Sequence, residues 1–83
     1  MLDRARRNFE KTRPGGAGVF QPGVPGMAAL EDFQVVEAYA DALQADGLIR
    51  ITRKHRESHT GRHLIDAIEF ERLPGTESQL AGL

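Results

Sequence analysis

Apolar residues are distributed along this chain with more than one period. From Met27 to Asp46, MAALEDFQVVEAYADALQAD, positions Leu30, Phe33, Val36, Ala40 and Leu43 recur every three or four residues, with Tyr39 at the edge of the stripe. That spacing predicts an amphipathic helix over 27–46. Glu31 and Asp32 sit near its start, where the helix dipole favours acids. Gly47 supplies the left-handed residue that closes a helix, and Leu48 is placed to fold back on the last turn. Leu2, Ala5 and Phe9 form a narrower stripe that predicts a short helix over 2–13, ended by Pro14-Gly15-Gly16.

The period changes after Gly47. LIRITRKH (48–55) and HLIDAIEFE (63–71) are rich in β-branched residues and flank a polar segment containing Gly61, which predicts a two-stranded antiparallel hairpin over 48–71. If paired positions sum to 119, Ile49 lies opposite Phe70, Ile51 opposite Ile68, Arg50 opposite Glu69 and Arg53 opposite Asp66. Apolar then meets apolar and opposite charges meet, each pair contributing about 0.2–1 kcal/mol. A one-residue slip sets Ile49 against Glu69 and is rejected. Residues 14–26, PGGAGVFQPGVPG, read as a loop, although Val19, Phe20 and Val24 could dock on the core or form a short edge strand.

The expected architecture is therefore one small α+β domain over residues 1–75. Residues 76–83 are expected to be a disordered tail. A core this small is marginal, and with no cysteine there are no disulfides, thiolate ligands or cysteine nucleophiles. Self-association would supply the missing buried area, so a homodimer is expected. No apolar run is long enough for a membrane span, and the N-terminus lacks a signal-peptide core; a soluble cytoplasmic protein follows as the expectation.

Charge changes this picture by being segregated. Residues 1–13 carry five bases and two acids, 14–48 five acids and no base, and 49–72 six bases and four acids. Polarised faces, or partners that read them, are implied. The stretch RKHRESHTGRH, 53–63, holds Arg53, Lys54, Arg56 and Arg62 beside Ser58 and Thr60, a composition suited to phosphate contact from a hairpin tip. The alternative is a charged tip that merely keeps the turn soluble. His55, His59 and His63 are spaced by four, which on a helix could hold zinc. On a hairpin they do not converge, and the surrounding bases repel a dication, so no metal or other cofactor is expected. Ser58 beside His59 has no orienting third group, and the glycines match no phosphate-cradling motif; catalysis is not expected.

The run DALQADGLIRI, followed by a basic loop and the returning strand HLIDAIEF, resembles the second half of a winged-helix domain of bacterial transcription regulators. Leu43, Gly47, Leu48 and Ile49 match the Leu-x-x-x-Gly-Leu-Ile junction of that family, and the resemblance covers about residues 27–72. It implies DNA binding, with the hairpin as the wing. Two departures qualify it. The helix expected before the recognition helix is replaced by the Gly/Pro-rich segment 14–26, and helix 27–46 carries five acids and no base, which opposes insertion between phosphate rows. The expectation is a small winged-helix-like nucleic-acid-binding regulator or accessory protein. It would hold the backbone of double-stranded DNA with Arg53, Lys54, Arg56 and Arg62 at the tip and Arg4, Arg7 and Lys11 on the first helix, helped by Arg6 and Arg13. The alternative expectation is a homodimeric adaptor that binds no nucleic acid.

Overall fold

A computed structural model describes residues 1–74; the tail expected at 76–83 lies outside the described residues. Among the described residues five elements follow one another: α1 (Leu2–Lys11), β1 (Ala17–Phe20), α2 (Met27–Ala45), β2 (Ile49–Arg56) and β3 (Ile65–Arg72). The class is α+β, two helices with a three-stranded antiparallel sheet of order β1-β3-β2. β2 and β3 pair antiparallel, but the sheet has three strands rather than the expected two, and of the two options for Val19 and Phe20 the short edge strand is the one found. Part of the Gly/Pro-rich segment adds a third strand, pairing Gly18 with Phe70 and Phe20 with Ile68.

Glycine makes that strand possible. A Cβ on Gly18 would come within 2.7 Å of the Phe70 ring and 2.8 Å of the Thr12 hydroxyl. The bare backbone lets Phe70 stack on Phe20, with centroids 4.4 Å apart. Phe33, Val36 and Ala40 of α2 and Ile49, Ile65 and Ile68 of the sheet complete the core, all almost inaccessible to solvent. Each of the larger side chains contributes about 1.5–3 kcal/mol by leaving water, and the Ala40 methyl group about 0.8 kcal/mol.

The stop of α2 follows from its sequence. Gly47 has φ 77°, Gly47 N–H donates to the Gln44 carbonyl, and Leu48 N–H donates to the Leu43 carbonyl at 2.9 Å. This is the Schellman arrangement, which satisfies carbonyls that the helix leaves open. The end of α1 is closed from a distance. Arg72 Nη1 donates to the carbonyl of Thr12 at 2.8 Å and more weakly to those of Phe9 and Glu10, with its guanidinium 4.5 Å from the Phe9 ring centroid. A cation at a helix C-terminus also complements the dipole.

The hairpin register differs from the expected one. Arg50 lies opposite Glu71 and Ile51 opposite Phe70, a slip of two residues that keeps the same sides facing in and out. The register then shifts between Ile51 and Arg53, leaving Thr52 as an extra residue, so Arg53 meets Glu69 rather than Asp66. The outer strands are each touched by a helix amide. Asn8 Nδ2 donates to the Val19 carbonyl on β1 at 2.6 Å, and Gln44 Oε1 accepts from Ile51 N–H on β2 at 2.7 Å. Gln34 holds Ile65 at both ends, donating to its carbonyl and accepting from its N–H.

The packing at Gly18 generates a prediction. Gly18→Ala should lower unfolding free energy by about 1–3 kcal/mol, because the added methyl cannot be housed without moving Phe70. Urea denaturation of the two proteins measures it.

Candidate functional site

The bulge at Thr52 decides the fate of the first hairpin cations. Beyond it Lys54 lies opposite the buried Ile68, on the side of the sheet that α2 covers. Its Nζ donates to Glu37 and to Asp41, both at 3.0 Å, two acids one turn apart on α2. The hydrogen bond to Glu37 raises the Lys54 pKa above its ordinary value, against the opposing effect of partial burial, and Asp41 adds to the rise. Lys54 is therefore bound to the acidic helix rather than displayed at a tip.

Its neighbours are partly engaged as well. Arg53 lies 3.8 Å from Glu69, and Arg62 reaches from the hairpin loop to Glu31 of α2 at 3.3 Å. Both pairs are solvent-exposed, worth about 0–1 kcal/mol and open to competition. Arg56 donates to the His63 carbonyl at 3.1 Å, and among the described residues its charge meets no carboxylate. Asp66, the expected partner of Arg53, instead meets His55 Nδ1 at 2.5 Å. His63 adopts φ 54°, and among the described residues no cluster of three or more His, Asp or Glu side chains is arranged to hold a metal ion.

The residue that shapes the hairpin loop is Glu57, which the sequence reading passed over. Its carboxylate accepts from Thr60 N–H at 2.8 Å, Thr60 Oγ1 at 2.9 Å and Leu64 N–H at 2.7 Å. Thr60 Oγ1 in turn accepts from Arg62 N–H. The Thr60 hydroxyl is thus built into the loop and does not offer itself to phosphate as expected. Glu57 was readable in principle: it is the one acid in a basic eleven-residue stretch, with Thr three positions on.

The candidates on α1 are arranged differently. Arg4, Arg7 and Lys11 succeed one another at helical spacing and, with Asn8, Asp3 and Met1, line a shallow groove along the exposed side of the helix. Among the described residues none of the three makes an ion pair with a carboxylate. Arg6 points elsewhere, to the Tyr39 hydroxyl, where burial raises the phenol pKa and Arg6 opposes the rise. From Arg4 to Lys11 the helix rises about 10 Å. That is about three phosphate steps of a duplex strand.

Topology sets these cations relative to the hairpin. β1 ends opposite the start of β3, so the loop 21–26 leaves the sheet at its hairpin-loop end. Arg4 packs on that loop, since a Cβ at Gly23 would fall 2.5 Å from its guanidinium carbon. Thr12 lies at the other end, against Arg72. Arg4 therefore occupies the same end of the molecule as the hairpin loop, and Lys11 the far end. Val24 and Met27, both exposed, line an open hollow together with Pro22, Pro25, His59 and Thr60.

Among the described residues no helix is long and apolar enough to cross a membrane. No protein-family model matches the chain, and neither a curated protein nor a solved structure is significantly similar to it.

Glu57 carries a pH prediction. Hydrogen bonds from the Thr60 backbone, opposed by desolvation and aided by Leu64, hold its carboxyl below the usual range. A depressed folded pKa stabilises the loop above the unfolded value, and that contribution disappears as pH falls through the folded one. Amide exchange at Thr60 and Leu64 should accordingly lose protection in acid below the ordinary carboxylate range. Glu57→Gln should show the reduced protection already at neutral pH; NMR-detected exchange reads both.

Proposed function

We propose that this protein is a small winged-helix-like nucleic-acid-binding regulator or accessory protein that holds the phosphate backbone of duplex DNA mainly through α1. The observation carrying this reading is the row Arg4, Arg7 and Lys11, exposed and, among the described residues, without carboxylate partners, while the hairpin cations Lys54 and Arg62 are paired to α2. Phosphate contacts supply affinity without sequence information, which suits a helix face presenting charge alone. The hairpin serves as the wing, with Arg56 its charge nearest to availability. Helix α2 does not read bases: it is packed on the core by Phe33, Val36 and Ala40 and carries Glu31, Asp32, Glu37 and Asp41.

Fluorescence anisotropy with a labelled duplex at several salt concentrations tests this. Replacing Arg4, Arg7 and Lys11 together by alanine should flatten the dependence of log affinity on log salt by about 2–3, at about 0.9 per phosphate contact. Glu31→Gln, which releases Arg62, should instead steepen it by up to about 1. Absence of wild-type binding at low salt removes the reading.

A second reading, a homodimeric adaptor, is favoured by one feature. Val35 of α2 is about half exposed and shares a shallow surface hollow with Met1, Leu2, Asp3 and Asp32, an apolar centre with an acidic rim. Sedimentation equilibrium should then show concentration-dependent association that Val35→Asp abolishes. A strict monomer excludes it.

A further inference from the structure

The loop between β1 and α2 is unusually apolar for a segment in water. Val24 is 59 % exposed and Met27 41 %, and Pro22 and Pro25 frame Val24. Apolar side chains in this setting are not needed by the core, which is filled from other positions. The loop is also held in a defined place. Arg4 lies against it at Gly23, and Pro22, Val24 and Pro25 share a hollow with His59 and Thr60 of the hairpin loop. The two carboxylates that also line it are engaged, Glu57 by Thr60 and the Leu64 N–H and Asp66 by His55. An apolar element thus stands between the first cation of α1 and the wing that carries Arg56.

Duplex DNA offers the complementary pattern in its minor groove, where two phosphate rows flank a floor of sugars and base edges. Proteins that enter this groove commonly press proline, methionine or aliphatic side chains onto the floor while cations hold the rims. We propose that the loop Gln21–Gly26, with Met27, is a minor-groove contact: Val24 and Met27 meet the sugars and base edges, and Arg4 and Arg56 engage the bordering phosphates. The inference rests on the duplex-binding reading above and adds the groove and the residues that enter it. Two prolines suit the role, because a contact loop that is already stiff loses little conformational freedom on binding.

The groove floor supplies a sharp test. Guanine projects an N2 amino group into the minor groove, and inosine lacks it while presenting the same major-groove edge. Wild-type protein should bind an inosine-substituted duplex several-fold more tightly than its guanine parent. The Val24→Ser, Met27→Ser double variant should lose about five- to tenfold in affinity for both duplexes, lose the inosine preference and keep the wild-type salt slope. Because both side chains are exposed, its thermal unfolding should match wild type, which separates a lost contact from a lost fold.

Unchanged affinity and unchanged inosine preference in the variant would overturn this assignment while leaving backbone binding through α1 in place. Tighter binding to single strands than to duplex would also overturn it. No wild-type binding to any duplex at low salt would remove the function and the contact together.

Discussion

Pairing between β1 and β3 is the interaction on which the rest of the molecule depends. Among the described residues β3 is the one strand with neighbours on both sides, and its ladder to β1 turns a hairpin, marginal alone in water, into a sheet with a face broad enough to be covered. That ladder continues past the strand through the reciprocal bonds of Arg72 with Gly15 and Gly16. It thereby places the Arg72 side chain under the end of α1. α1 has a single fully buried residue, Ala5, so its own apolar contribution is small. Its position comes from Arg72, from Asn8 on Val19 and from Thr12 packed beside Gly18.

The same pairing organises charge. Because the loop after β1 emerges at the hairpin-loop end of the sheet, the cations of α1 begin beside that end and run away from it. Meanwhile α2 lays its acids along β2, where Lys54 bridges Glu37 and Asp41. The acidic and basic blocks of the sequence are therefore not two independent surfaces. One basic block is partly neutralised within the fold by the acidic one, and the other remains open to solvent. Counting bases along the chain weights both blocks alike; the distances do not.

What was legible in the sequence was what local chemistry determines. The stripe from Leu30 to Leu43 and the stop at Gly47 and Leu48 need only near neighbours, and they yield α2 and its cap. The strand character of 48–55 and 63–71 was equally local. Register was harder, because a slip of two residues preserves which side each residue faces: Ile51 meets an apolar residue and Arg50 an acid at either setting. The bulge at Thr52 left no trace in composition, and with it went the position of Lys54. The strand Ala17–Phe20 was legible only as one of two options, an edge strand or a docked loop, because the glycine within it has a tertiary reason: Gly18 is small because Phe70 lies across it. Glu57 was passed over although its bond to Thr60, three positions on, is local. Arg72, Gln34 and Asn8 escaped notice for a common reason. Each bonds backbone groups whose proximity exists only after folding.

The amides on the two outer strands have a further consequence. A three-stranded sheet has two open margins, and each is a template on which a foreign strand can grow. Asn8 already occupies a carbonyl on one margin and Gln44 an N–H on the other. An incoming chain would have to evict a side chain tethered to a helix before it could pair at either of those positions. In a sheet this small, each position so covered shortens the margin on which a foreign ribbon could grow.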